Sequence, residues 1–388
     1  MVDIFNALNY DENLTIDDYN QVTKDIFLKY FKDEKTFLRN KEFLRMELLN
    51  YIKYIAKKDT FENLFEKILK VFNTALNKDK KEFFKELAIN LPKISNTDNL
   101  YLSYCISQKN AISSYTTRDF AMYYFDTIEK ILEGCFKPRL ELFFRIYQYN
   151  LKSVFPDIKN KEFGDIINLI DNFDELIKDP CFGIVFSQWR NISTHKNFEI
   201  KKENILVEYG KKDNRKTKIL SHEQLKEITF YINEVYSVLR LAEVVIYLNF
   251  TEEIMATDEA KNIHYDIRSE TWLLNIIQNL QMVGFKYHSF NEIKNIFELN
   301  LYIKQNNDIQ ESIIHSSQVF IEIAKALDED EFEKGKFKYI QINILGKNDS
   351  VLASAKIDLQ ICLDFSFNKI DMEQLINNII FTVWRKND

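Results

Sequence analysis

Turn-forming residues are scarce in this chain, with 7 glycines and 4 prolines among 388 residues. That scarcity weighs against a turn-rich β architecture and favours long helices. Cysteine is as rare. Cys105, Cys135, Cys181 and Cys362 are scattered, with no C-x-x-C pairing and no neighbouring histidine. The pattern excludes a disulfide framework and points to reduced thiols buried as small apolar residues. No run approaches 18 uncharged apolar residues, so no transmembrane helix is expected. Met1–Leu14 lacks a basic stretch and an apolar core, so no secretory leader is expected and the location is read as cytoplasmic. Neither a Walker A sequence nor G-x-G-x-x-G occurs, which leaves nucleotide-fuelled chemistry without support. His264, His288 and His315 stand apart, without metal-ligand spacing. No metal and no cofactor is expected, and there is no internal repeat.

What the chain does have is 46% hydrophobic residues, enough for sizeable cores in two or three domains. The reading is mostly α, with a β-hairpin insertion and a C-terminal α+β domain. An N-terminal helical region (1–108) opens with Thr15 as N-cap, then helices at Glu42–Ile55, Phe61–Leu76 and Lys81–Ile89. The last of these ends before Pro92, and 95–99 reads as a loop. A helical domain (109–250) follows, with helices at Thr117–Leu132, Pro138–Val154, Lys161–Leu176 and Ile184–His195. Then come strands at Asn204–Tyr209 and Lys216–Leu220 around a turn at 210–214. A long helix, about Glu223 to Leu248, is capped by Ser221. In the C-terminal domain (251–388) helices are expected at Glu270–Met282, Asn291–Gln305, Gln310–Leu327 and Met372–Trp384. Lys338–Leu345 alternates as a strand does, and Val351–Ile357 and Leu359–Phe367 read as two more. The acidic cluster 328–331 reads as a solvated linker.

One short segment carries chemistry. Arg190-Asn191-Ile192-Ser193-Thr194-His195 reads R-N-x-x-x-H, at the end of a helix and just before a hairpin. An imidazole moves protons near neutral pH, and a guanidinium stays cationic beside a phosphate and binds two of its oxygens. Together they are what metal-free RNA cleavage needs. A base takes the ribose 2′ proton, an acid protonates the leaving 5′ oxygen, and a cation steadies the crowded phosphorane.

In this order of elements, about Ser113–Phe250, the chain resembles the HEPN superfamily, whose ribonucleases carry an R-x(4–6)-H motif, often with a polar residue after the arginine. The resemblance implies a four-helix bundle and a catalytic set of Arg190, His195 and Asn191. It also implies a homodimer with a composite site, and RNA cleavage in toxin–antitoxin, abortive-infection or CRISPR-linked defence. An antitoxin, a phage trigger or another regulatory partner is then expected. The alternative is a catalytically inactive HEPN-like binding or regulatory module. Ser193, Thr194 and Lys196 are further candidates for substrate contact.

Residues five apart on an ideal helix lie about 140° apart around its axis, so Arg190 and His195 do not share a face. One copy leaves half a site; a two-fold dimer, with Trp189 near the axis, brings two of each together. The net charge of −7 does not announce a nucleic-acid binder. Locally, however, 201–218 holds seven basic residues against three acidic, a net of +4. Lys196, Lys211, Lys212, Arg215 and Lys216 are the expected RNA-binding side chains; the other reading of this hairpin is a solvated, lysine-rich turn.

Overall fold

The protein is represented by a computed structural model that describes residues 16–107, 116–158, 161–210, 214–262, 284–303, 308–329, 333–346 and 348–384, together with 273, 276, 277 and 280. It is mostly helical, with two small sheets. The chain divides into two compact units, one running from Thr23 to Tyr265 and the other holding 2–22 and Asp266 onward. The sequence leaves open whether the helices before 108 form a separate domain or a packed extension of the bundle that follows. The N-terminal helices share one core with the helices around the motif.

That core follows from helical periodicity. In chain order the helices are α1 (Ile16–Phe27), which enters the first unit at Thr23, then α2 (Glu34–Asn50), α3 (Asp59–Lys78), α4 (Lys80–Ser107), α5 (Thr117–Glu129), α6 (Lys137–Lys152), α7 (Phe163–Ile167), α8 (Phe186–His195), α9 (His222–Asn249) and α10 (Thr251–Met255). On α3 the residues Phe61, Leu64, Phe65, Ile68, Leu69, Phe72 and Ala75 are buried, a one-sided stripe at spacings of three and four. It packs on α9 and α6. The central α9 starts as expected at Ser221, whose hydroxyl accepts from Gln224 N at 3.2 Å while the Gln224 side chain accepts from Ser221 N at 3.0 Å.

Several boundaries differ from the sequence reading. α4 runs straight through Pro92 and through the expected loop at 95–99. Burial of Phe83, Leu87, Ala88, Ile94 and Thr97 on one side outweighs the missing donor of a single proline. α5 and α6 are joined by a π-helical turn, Lys130–Phe136, rather than by a break. The wider turn sits immediately before Pro138, whose ring cannot donate into an α-helical ladder. Of the expected helix at 161–176 only Phe163–Ile167 is α-helical, with a single 3-10 turn at Asp174–Leu176. Its apolar residues Phe163, Ile166, Ile167, Ile170 and Leu176 still reach the core, from turns that include the left-handed Asn172. Thr15 lies outside the described residues.

Charged groups cross the middle of this unit. Arg139, fully buried, donates to Glu243 Oε2 at 2.5 Å and to Asp98 Oδ1 at 2.7 Å. Arg240 binds Asp98 at 2.8 Å and Glu47 at 2.7 and 2.8 Å. Four helices, α2, α4, α6 and α9, are thereby tied by one network. Burial pushes the Glu243 carboxyl up to about 7, against the pull of Arg139.

After α8 the chain forms a three-stranded antiparallel sheet: β1 (Phe198–Lys201), β2 (Asn204–Tyr209) and β3 (Lys216–Leu220). The expected hairpin is β2–β3, and β1 adds a strand that the sequence reading does not include.

In the second unit a five-stranded sheet has the order β4 (Phe285–Ile293), β5 (Ile296–Ile303), β6 (Tyr339–Leu345), β7 (Val351–Asp358), β8 (Ile380–Val383). β5 and β6 are parallel and the other pairs antiparallel. The parallel crossover carries α11 (Ile309–Ser317) and α12 (Phe320–Glu329), two helices where one is expected. Of Asn291–Gln305, expected as a helix, the described part to Ile303 belongs to the β4–β5 hairpin, with Lys294 at φ 57 in its turn. Leu359–Phe367, expected as a strand, is α13 (Leu359–Ser366), because the Asp358 side chain caps it through Gln360 N at 2.9 Å. The expected final helix is α14 (Met372–Asn377) followed by β8. Most of the expected helix 270–282 lies outside the described residues.

Candidate functional site

The motif helix α8 is held from its buried side. Phe186, Trp189, Ile192 and Ser193 face the core. The loop before it is clamped by Asp179, 1% exposed, which accepts from Phe182 N at 2.7 Å, Ile184 N at 2.8 Å and Trp189 Nε1 at 2.9 Å. Trp189 and Ser193 are both fully buried within the chain, so Trp189 offers no surface of its own and Ser193, weighed above as a substrate contact, does not face solvent.

Arg190 and His195 leave the helix in different directions. The Arg190 guanidinium pairs through Nε with Glu133 and through Nη1 with Asn191 Oδ1 at 3.1 Å. Glu133 lies in the π-helical turn and also meets Lys137 at 3.3 Å. Lys196 ends α8 in a left-handed conformation, φ 52, its N–H bonded to Ile192 O. Its ammonium pairs with Asp126 and, at 3.4 Å, with Glu129. Asp126, Glu129 and Glu133 thus form a carboxylate row that holds both cations of the motif region.

His195 lies on the other side, exposed, with no hydrogen-bond partner among the described residues. It lines a cleft of about 150 Å³ together with Gln188, Asn191, Asn197, Glu208, Tyr209 and Arg215. The cleft has two walls, the last turns of α8 and the β2–β3 end of the small sheet. Gly210 locks them together: its N–H donates to Gln188 Oε1 at 2.8 Å. At φ +98, with the Cβ of any other residue falling 2.5 Å from Asn214 O, only glycine fits this position.

One chain therefore brings His195, Asn191 and Arg215 to a common cleft and leaves Arg190 outside it. Arg215 bonds Glu208 at 3.3 Å and is largely exposed; Lys216 is exposed beside it. Lys211 and Lys212 lie outside the described residues. His222, spaced like a second motif histidine after Arg215, stacks on Phe120 with ring centroids 4.4 Å apart and takes no part.

Sequence reasoning misses Glu133, Asp126, Glu129, Gln188, Tyr209 and the clamp at Asp179. Asp126 and Glu129 on α5, Glu133 in the π-helical turn and Tyr209 on β2 reach the motif only through packing against α8, and Gln188 and Asp179, close in sequence, fit no local motif pattern. Among the described residues no group of three or more His, Cys, Asp or Glu is arranged to hold a metal ion, and no helix is long and apolar enough to cross a membrane. Comparison of the chain with protein-family models, with curated proteins and with solved structures finds no match in any of the three.

Proposed function

We propose that this chain is a metal-independent endoribonuclease of HEPN type, acting as a toxin or anti-phage (abortive infection) effector. The observation that carries the reading is the His195 cleft: an exposed imidazole, free of hydrogen bonds to the described residues, flanked by Asn191, Arg215 and Tyr209. A group that must accept and return protons needs that freedom. The ribose 2′ oxygen attacks its own phosphorus and the P–O5′ bond breaks. His195 moves the protons, and guanidinium groups hold the phosphate oxygens. Arg215 can do so from within the same chain. Arg190 does so from a site shared by two copies, once its bond to Glu133 has opened. RNA is the substrate, and a homodimer is the active form. A regulatory partner keeps activity in check.

The test is to incubate purified protein with total RNA in excess EDTA and map the ends. The reading expects 2′,3′-cyclic phosphate and 5′-hydroxyl ends. Intact RNA, or cleavage that EDTA stops, counts against it. One observation favours a second reading, an inactive HEPN-like binding or regulatory module: Arg190 is already neutralised by Glu133. If that pair is permanent, RNA binds at the hairpin and is never cut.

A further inference from the structure

The two edges of the five-stranded sheet are finished very differently. β4 carries Lys286 and Glu292, and its pairing with β5 is broken by a bulge between Tyr287 and Ser289. Charges and bulges are how proteins keep an edge strand from pairing with another chain. β8, the opposite edge, has none of these. Its sequence is Ile380-Phe381-Thr382-Val383, uncharged, with all four residues exposed. Ile380 is 65% exposed, Phe381 40%, Val383 37% and the following Trp384 49%. The strand is nevertheless firmly seated on its inner side, paired from Ala353↔Val383 to Lys356↔Ile380, with Trp384 N bonded to Leu352 O at 2.9 Å. Beside it runs an apolar groove of about 450 Å³ whose walls include Phe381, Ile376 and Met372, the last two more than half exposed.

We propose that β8 is an interface between two copies of this chain, paired antiparallel across a two-fold axis so that the two sheets become one. A strand laid antiparallel against its own copy meets an identical edge, so every free N–H and C=O finds a partner without any second surface having evolved. Antiparallel self-pairing sets each residue opposite the position mirrored about the axis, and β8 carries no charge at any of its four positions that could face a like charge there. The same axis draws together both copies of Met372, Ile376 and Trp384. With the four strand residues, these offer several hundred Å² of apolar surface on each side, the scale of the about 800 Å² per partner of a standard interface. The proposal does not rest on ribonuclease activity.

Sedimentation velocity on the full chain at micromolar concentration tests it, comparing wild type with Ile380→Lys/Val383→Lys. Both positions are exposed, so the fold survives, as circular dichroism will verify. The expected result is loss of the β8 contact in the double substitution: a dimer falls to a single chain where β8 is the interface, and a larger assembly falls to a smaller one where the chain also pairs elsewhere. In a Cys105→Ser/Cys181→Ser background, which leaves only the buried Cys135 and Cys362, Thr382→Cys should be joined to a second copy by a short bismaleimide. An unchanged mass in the lysine variant overturns the proposal, as does a wild type at single-chain mass. Failure of Thr382→Cys to cross-link does the same, including the case in which β8 proves to be covered by a different protein.

Discussion

Glu133 decides what Arg190 can do. The two side chains are each about one-third exposed or less, 27% and 29%, so their pairing is worth at most about 1 kcal/mol after solvent screening. That is small enough for an RNA phosphate to displace. Glu133→Gln should therefore tighten RNA binding by about fivefold at low salt, with under about 1 kcal/mol lost in stability. Fluorescence anisotropy with a short single-stranded RNA measures it; weaker binding would mean that Glu133 orients Arg190 rather than competing for it. At this scale the sequence is informative about which residue types meet RNA and silent about what neutralises them. Arg190, Asn191 and His195 stand within six positions and declare themselves. Glu133 stands 57 residues away and reaches Arg190 only because the helices that carry them pack side by side.

At the scale of elements, the β2–β3 hairpin forms one wall of the His195 cleft, and Gly210 is its hinge point. Gly210→Ala puts a methyl group 2.5 Å from the Asn214 carbonyl in a left-handed conformation. The turn must rearrange, at about 1 kcal/mol or more. The Gln188 bond should break, and cleavage should fall while α-helical circular dichroism stays. If the hairpin grips phosphate, neutralising Lys211, Lys212, Arg215 and Lys216 together should flatten the salt dependence of binding. On a single strand, every phosphate left without its cation lowers the log–log slope by roughly 0.7. An unchanged slope would make the hairpin a solvated turn. Elements are legible where periodicity and caps agree. β2, β3, β6, β7 and α9 lie within a residue or two of their expected bounds, and Ser221 caps α9. They are misleading where one local signal stands alone. Pro92 reads as a helix end, though buried neighbours carry α4 through it. At 359–367, Leu359, Ile361, Leu363 and Phe365 alternate as a strand would, yet the Asp358 cap starts a helix. At 291–303 the alternation of Phe297, Leu299 and Leu301, all buried, is hidden behind charged neighbours and an unmarked turn at Lys294.

At the scale of the whole helical unit, the Arg139–Glu243–Asp98–Arg240–Glu47 network ties four helices, and no sequence pattern hints at it because its members span 47 to 243. Its pH behaviour follows from Glu243, raised from 4.5 to about 7 by burial. The folded state then binds that proton more tightly than the unfolded one. The stability it contributes is fully present below about pH 4.5 and is lost as pH rises through about 7. At 1.36 kcal/mol per pKa unit the swing is about 3 kcal/mol. Urea midpoints at pH 5 and pH 8 should separate more for wild type than for Glu243→Gln, which has no carboxyl to ionise. Equal separations would mean that Glu243 is charged in the fold throughout.

If this protein cuts RNA without metal through His195 and Arg190, one measurement shows it most directly. It is the cleavage rate of a single labelled RNA in excess EDTA, for wild type beside His195→Ala and Arg190→Ala, each verified as folded. Cleavage by wild type is expected, with a loss of about 10²–10⁴ in rate for His195→Ala. Arg190→Ala should lose activity as severely. Wild-type rates in either variant, or no cleavage by the wild type, would contradict it.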